Sequence, residues 1–254
     1  MLKKIKLPFL FFVCIFCFFA KNLSAKQVNV TQIPEFEKID YTLTWNMLTI
    51  GDASLEFKGF KDMNGIKTRY ARLNVTTNDF LSSMFYLNAY FESLFEYNGT
   101  YSFEFVSKML QDGKERYEHI VFEPKEQNYR LNNNGIIKEG KTLKNVKDIL
   151  ATLYCIRTLD LKVGRKYILN LYFQDVSVSI SVLVLKKEQL NTTFLGQRNC
   201  FVLEPLLYEN NTIDLGGKIL IWITADAKRL PIYIKVESNI GVVSAKLTFF
   251  SNKR

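Results

Sequence analysis

The sequence predicts a mainly β protein in which a strongly curved antiparallel sheet, or an incomplete barrel, encloses one helix. Apolar and polar residues alternate along most of the chain, and Val176–Val182 is the clearest case, with Val or Ile at every second position and Ser between them. Such alternation buries one face of a strand and leaves the other in water. The pairs Asn64-Gly65, Asp112-Gly113 and Asn134-Gly135 are typical of tight hairpins, which need positive φ angles. One apolar segment, 148–159, has the period of a helix instead.

The alternating segments predict about a dozen strands, with one or two of the segments expected to be spurious. They are 41–46, 50–60, 67–77, 88–97, 101–110, 115–123, 127–132, 166–173, 176–186, 189–195, 199–207, 217–224, 231–238 and 241–250. Neither a Pro- or Ser-rich linker nor an internal repeat divides the chain. One curled sheet is the simplest arrangement, because curling limits the number of exposed strand edges.

The predicted helix begins at Asp148, whose carboxylate is suited to cap the first turn. Its broad apolar face consists of Ile149, Leu150, Leu153, Tyr154 and Ile156. A helix with such a face has to be covered, so we place it against the concave face of the sheet. The segment Asp79–Leu87 also departs from the alternation, and it reads either as a helical turn or as a partly buried loop.

Residues 1–25 have the layout of a secretory signal peptide. Three lysines in Met1–Lys6 precede the uncharged run Leu7–Ala20, and Leu23–Ala25 ends in a small residue that suits cleavage. The apolar run is shorter than the about 20 residues of a membrane-spanning helix, which favours a cleaved signal over a signal anchor. Residues 26–254 then form a single β-rich domain, and the chain is expected to be exported.

The four cysteines fall into two pairs. Cys14 and Cys17 raise a lipoprotein signal as an alternative, but bulky neighbours surround them, and we interpret them as part of the apolar run. Cys155 and Cys200 remain after processing, either as a disulfide, which an oxidising compartment permits, or as two buried free thiols. Cys155 lies in the predicted helix and Cys200 in a predicted strand, so only geometry decides between these alternatives.

Composition excludes several classes of function. Without the four lysines of the first 25 residues, the net charge falls from +9 to about +5, and the basic residues are scattered. A nucleic-acid-binding protein would cluster them, so we expect no nucleic-acid partner. A Gly-rich phosphate-binding loop is missing from the sequence, and we read Asp214–Gly217 as a hairpin turn. We therefore expect no cofactor.

No catalytic motif is recognisable, and we assign no catalytic residue. The single histidine, His119, lacks Cys or carboxylate partners at the spacing of metal ligands, and it lacks the nucleophile of a triad. We therefore expect an ordinary surface or half-buried residue and no metal. A hydrolase that uses paired carboxylates stays open as a weaker alternative. Its candidate residues are Glu92, Asp160, Glu204 and Asp226.

Three residues are candidates for contact with a ligand in the concave face: Tyr154, Arg157 and Trp222. Arg157 follows the apolar face of the helix, where an arginine caps the helix end, pairs with a carboxylate or binds an anionic ligand. The structural roles are the more common ones, because buried charges are usually paired. Trp222 lies on a predicted strand, where a core position is more common than a stacking platform.

Three stretches of the chain carry recognisable motifs. They are Tyr41–Trp45 with Ile50–Ala53, then Leu153–Arg157 with Leu161 and Gly164, and finally Ile221–Asp226 with Arg229–Pro231, Gly241 and Leu247. Together they resemble an uncharacterised family of exported bacterial proteins, domain of unknown function 3108. The resemblance spans nearly all of residues 26–254. It implies a β-rich protein of the periplasm or envelope of a bacterium, and it implies no activity.

The leading hypothesis is an envelope protein without enzymatic activity that binds a lipid or another hydrophobic or amphipathic ligand in the concave face. It depends on the apolar helix facing a curved sheet and on the expected export. The alternative is a structural or interaction module that binds an envelope protein through its surface or strand edges, without a small ligand.

Overall fold

The computed structural model describes residues 34–63, 65–79, 85–206, 217–239 and 241–252. The predicted signal peptide, most of the segment Asp79–Leu87 and most of the predicted turn Asp214–Gly217 lie outside the described residues. Within the described ranges, no helix has both the length and the apolar character that a membrane crossing requires.

Fifteen strands and one helix have defined bounds in the described part of the chain. They are β1 (Phe36–Trp45), β2 (Leu48–Met63), β3 (Ile66–Thr77), β4 (Leu87–Glu96), β5 (Ser102–Gln111), β6 (Lys114–Glu123), β7 (Asn128–Asn133), β8 (Ile136–Lys141), β9 (Val146–Lys147), α1 (Ile149–Thr158), β10 (Lys166–Phe173), β11 (Val176–Thr192), β12 (Gly196–Leu206), β13 (Gly217–Thr224), β14 (Pro231–Ser238) and β15 (Gly241–Ser251). The predicted mainly β fold with a curved sheet and a helix is confirmed.

All the strands belong to one sheet, in the order β8-β7-β6-β5-β4-β3-β2-β1-β15-β14-β13-β12-β11-β10-β9. Two antiparallel meanders, β1–β8 and β10–β15, therefore meet where the first strand pairs with the last. The short strand β9 is the exception, because it pairs parallel to β10. Successive residues alternate between the two faces, which is why the period-two pattern of the sequence places one set of side chains inside.

The two ends of the strand order approach each other, so the sheet curls almost into a barrel. The rings of Tyr129 on β7 and Tyr172 on β10 have their centroids 4.8 Å apart. Lys138 Nζ on β8 lies 2.9 Å from a carboxylate oxygen of Asp175 in the β10–β11 turn. Among the described residues, β8 has a strand neighbour on one side only, so side chains rather than a backbone ladder join the two ends.

Helix α1 lies inside this curl, packed against β3, β4, β9 and β10, and all its residues after Ile149 are buried. Its predicted N-cap is confirmed, because the Asp148 carboxylate accepts hydrogen bonds from the backbone N–H groups of Leu150 and Ala151 at 2.8 and 3.1 Å. The second carboxylate oxygen accepts from the hydroxyls of Ser93 on β4 and Ser102 on β5. The first turn of the helix is thus fixed to the first meander.

The structure corrects three details of the strand prediction. The segments 176–186 and 189–195 form one strand, β11, which continues past a register shift between Val184 and Lys186. Strands β8 and β9 were not predicted. Strand β8 is an edge strand with most of its residues exposed, so it carries no alternation, and β9 has only two residues.

Candidate functional site

A cavity of about 160 Å³ lies between the first turn of α1 and the concave face of the sheet, within a hollow of about 1320 Å³ that includes its opening to solvent. Apolar side chains from β1–β6, β10, β14, β15 and the helix form most of its wall. They include Tyr41, Leu43, Ala53, Leu55, Leu73, Val75, Phe91, Phe105, Met109, Ile120, Ile149, Leu150, Leu153, Phe173, Ile234 and Ala245. The wall resembles the mostly apolar lining of small-molecule sites.

Short side chains in the sheet explain why space is left at this place. Ala53 on β2 stands in register between Tyr41 on β1 and Val75 on β3, and Ala245 on β15 pairs with Leu43. Protein interiors are otherwise packed as densely as organic crystals, so alanines facing a helix leave a volume that larger side chains would fill. The cavity therefore follows from the identity of a few inward residues.

Polar residues mark the opening of the cavity. Gln174 is exposed and belongs to the cavity lining, as do Glu118 on β6 and Asp175 in the β10–β11 turn. Burial raises the pKa of the Glu118 carboxyl, and the Asp175 charge raises it further, whereas Arg116 lowers it. The site thus combines an apolar interior with an acidic mouth.

Tyr172 closes one side of this mouth. Its ring packs edge-on against Phe122 on β6 and Tyr129 on β7, with centroid distances of 5.4 and 4.8 Å. The Tyr172 hydroxyl is buried and has no hydrogen-bond partner, although the Tyr129 hydroxyl lies nearby and donates to the backbone oxygen of Asp175. Burial raises the pKa of Tyr172, and Tyr129 raises it further. A buried hydroxyl without a partner carries a cost that a ligand with a polar group is able to relieve.

The three residues proposed from the sequence as ligand contacts lie elsewhere. Tyr154 and Arg157 occupy the second half of α1, with the Arg157 guanidinium 6.0 Å from the Tyr154 ring centroid. The Tyr154 ring packs against Phe57 and Phe95 at centroid distances of 5.2 and 5.3 Å, and burial raises its pKa to about 12. Neither residue belongs to the lining of the cavity.

Arg157 is held by the protein itself. Its guanidinium forms a bidentate pair with the Glu37 carboxylate on β1 and donates to the backbone oxygens of Arg229 and Lys228 at 2.9 and 3.0 Å. Both side chains of the pair are fully buried. Of the roles weighed for Arg157, pairing with a carboxylate is the one that this geometry supports.

Trp222 lies on the face of the sheet turned away from the cavity. It alternates along β13 with the buried Ile221 and Ile223, and Ile221 pairs with Ile234, which lines the cavity. The Trp222 indole N–H donates to the Glu188 carboxylate instead. The ligand contacts proposed for Tyr154, Arg157 and Trp222 remain predictions, and other side chains line the cavity.

The remaining chemical candidates are spread over the fold. His119 lies on the outward face of β6, as expected, with Nε2 2.7 Å from Glu104 Oε1. Cys155 and Cys200 are free and buried. The candidate carboxylates have separate partners: Glu92 pairs with Arg72, Asp160 with Lys162, and Glu204 with Lys218, while Asp226 accepts from Thr224. The described residues hold no group of His, Cys, Asp and Glu side chains suited to a metal ion.

Sequence reasoning missed the residues at the cavity mouth. Glu118 alternates with the inward residues Ile120 and Phe122, so a charged residue at an inward position was a signal that could have been used. Tyr172 and Asp175 gave no such signal, because they reach the cavity only through the curl that brings β10 next to β7.

One solved structure supports the curved, barrel-like fold of this chain. The chain is similar to a β-barrel-like protein of domain of unknown function DUF1849 from Brucella abortus, with 12% identity, a TM-score of 0.59, and coverage of 86% of this chain and 98% of that one. A weaker likeness is to a DUF1089 family protein from Pseudomonas aeruginosa, with 8% identity, a TM-score of 0.38, and coverage of 71% and 87%. No curated protein sequence matches this chain.

A family match covers most of the chain. Residues 40–248 match the family described as protein of unknown function, DUF3108. This span contains the strands from β2 to β14, helix α1 and the whole wall of the cavity. The chain therefore belongs to the DUF3108 family, as its sequence motifs predicted.

Proposed function

We propose that this protein binds the apolar part of a small hydrophobic or amphipathic ligand in the cavity between α1 and the concave face, after export from the cytoplasm. The observation that carries the proposal is the cavity of about 160 Å³ with its mainly apolar wall. The layout of residues 1–25 supports export, and with it a place in the periplasm or envelope.

The volume limits what fits. A protein cavity of about 150 Å³ holds one benzene molecule, so this cavity is suited to an apolar segment of about six carbon atoms. Burying six methylene groups contributes about 5 kcal/mol, which corresponds to a Kd no tighter than about 0.2 mM. In its present shape, the cavity thus suits one short chain, or the end of one longer chain, rather than both chains of a phospholipid.

The test is binding of 1-hexanol to the full chain, measured by NMR titration and by the shift of the protein's unfolding temperature. We expect saturable binding with shifts confined to residues around the cavity. Ala53→Leu adds three carbon atoms inside the wall and is expected to weaken binding about tenfold or more, because it takes the ligand's place. Thr76→Leu is the matched control, because it adds apolar bulk at an exposed position of the neighbouring strand β3.

The proposal fails if hexanol does not bind, or if Ala53→Leu and Thr76→Leu bind it equally well. Native mass spectrometry of protein purified from the envelope adds a second measurement. A co-purified small molecule that is lost in Ala53→Leu but kept in Thr76→Leu is the expected result.

A protein-interaction role is the second candidate, and strand β8 favours it. Ile136 and Ile137 are 74% and 49% exposed, and within the described residues the outer edge of β8 pairs with no other strand. Such an edge is a template for β-strand addition by a partner. Glu139→Pro removes a backbone N–H that points away from β7, on the outer edge of β8. It is expected to abolish capture of an envelope partner and to leave hexanol binding unchanged if this role is the correct one.

A further inference from the structure

The polar end of the cavity is built by β5, β6 and the β10–β11 turn. Ser107 on β5 and Glu118 on β6 are directly paired in the register, and both belong to the cavity lining. Ser107 is 7% exposed, so its side chain lies on the inner side of the mouth. The side chain of Tyr172 reaches the same end from β10.

The Glu118 carboxylate has no strong partner here. Over the described residues, neither a hydrogen bond nor an ion pair engages it, and its charged neighbours are Asp175 and the exposed Arg116. The Asp175 carboxylate is already paired with Lys138 Nζ at 2.9 Å. An ionised carboxylate that is partly buried and has no partner costs free energy, unless a positive charge is brought to it.

The Tyr172 hydroxyl is a second polar group without a partner at this end, and it belongs to a side chain that is 6% exposed. Carboxylate and hydroxyl oxygens are hydrogen-bond acceptors, whereas an ammonium group offers three donors and no acceptor. A carboxylate or phosphate in the same place would face the charges of both Glu118 and Asp175, which disfavours an anionic ligand.

We propose that the ligand of this cavity ends in a protonated amine, and that Glu118 binds this amine while the chain enters the apolar interior. This inference rests on the ligand-binding function proposed above and adds the chemical class of the ligand. The amine donates to the Glu118 carboxylate, with the hydroxyl oxygens of Ser107 and Tyr172 as further acceptors. The ligand is thus a single-chain amphiphile whose cationic head lies at the mouth.

Three ligands with the same six-carbon chain test the inference: hexylamine, 1-hexanol and hexanoate, titrated into the full chain at about pH 8. Hydrogen bonds to charged groups are stronger than neutral ones, so we expect hexylamine to bind about tenfold more tightly than hexanol. Hexanoate is expected to bind more weakly than hexanol. The readout is the Kd of each ligand from NMR titration.

Glu118→Gln is expected to remove the preference for hexylamine over hexanol, and circular dichroism shows whether the variant is folded. Glu115→Gln is the matched control, because Glu115 lies on the same strand with its side chain exposed on the other face. It is expected to keep the preference for hexylamine, which excludes a general effect of negative surface charge.

The possible outcomes separate the two proposals. Equal binding of hexylamine and hexanol by the wild type, or a preference that persists in Glu118→Gln, overturns the amine inference and leaves the apolar cavity as a binding site. If none of the three ligands binds, both proposals are overturned. If Glu118→Gln does not fold, the wild-type comparison of hexylamine with hexanol decides alone.

Discussion

Replacing Glu37 with glutamine removes one charge of a buried ion pair and changes almost nothing else. The Glu37 and Arg157 side chains are fully buried, and the arginine also donates to the backbone oxygens of Arg229 and Lys228. Burial opposes the charge of Arg157, but the Glu37 carboxylate more than offsets this effect, so the pKa of Arg157 is raised. Glu37→Gln removes this counter-charge, and the guanidinium stays protonated because arginine is intrinsically very basic.

Leaving one partner of a buried ion pair uncompensated costs about 3–5 kcal/mol in free energy of unfolding. For a chain of this length, each kcal/mol shifts the unfolding temperature by about 2–4 °C, so we expect a decrease of about 6–20 °C. Adding Arg157→Met to Glu37→Gln removes the positive charge that lacks a counter-charge in the single variant. The double variant is then expected to lose about 0.5–3 kcal/mol less than the two single variants together.

The assay is urea unfolding followed by circular dichroism, with Glu56→Gln as the control. Glu56 pairs with Lys58 at 2.8 Å, and the two side chains are 25% and 40% exposed. An exposed pair of this kind contributes about 0–1 kcal/mol. Two results would refute the conclusion that the buried Arg157 depends on its ion pair with Glu37. One is a free energy of unfolding of Glu37→Gln within about 0.5 kcal/mol of the wild-type value, and the other is that the effects of the two single variants add without coupling.

Three further predictions concern other buried polar groups. Ser102→Ala removes a hydroxyl that accepts from the Asp148 N–H at 2.8 Å and donates to its carboxylate, so we expect a loss of about 1–3 kcal/mol in urea unfolding. An unchanged midpoint would contradict this. The raised pKa of Glu118 means that its stabilising contribution is present below about pH 4.5 and is lost as the pH rises through the raised value. Glu118→Gln should therefore be more stable than the wild type at pH 8, with a difference that shrinks toward pH 4.5, and a pH-independent difference would be evidence against this linkage. Burial raises the pKa of Cys155, and it raises that of Cys200 to about 11, so neither thiol should react with iodoacetamide in the native protein, whereas both should in urea. Native alkylation detected by mass spectrometry would oppose this prediction.

Local patterns were sufficient to predict the elements that depend on local chemistry. The alternation of apolar and polar residues located most strands, and Asp148 followed by an apolar face located the helix within one residue at each end. Edge strand β8 escaped detection because neither of its faces is well buried, so selection for alternation is weak there.

Contacts between distant parts of the chain could not be predicted in the same way. Arg157 was recognised as a residue in need of a partner, but the partner, Glu37, is 120 positions away. The cavity mouth is harder to predict, because Tyr172 and Glu118 come near each other only when the sheet has curled far enough to bring β10 beside β6 and β7. Sequence periodicity reports which face a residue occupies and says nothing about how strongly a sheet bends.

The pairing of the first strand with the last sets the order in which the fold is able to assemble. Thr44 and Ser244 share a hydrogen bond of 2.8 Å at this seam, although they are 200 positions apart. The inner edge of the first meander stays unpaired until β15 is available, so the seam joins only once the final strand has been synthesised. Long-range pairing of this kind slows folding. The same seam brings residues 34 and 252, the two ends of the described range, close together, so a circular permutant that links residue 252 to residue 34 should keep the sheet intact.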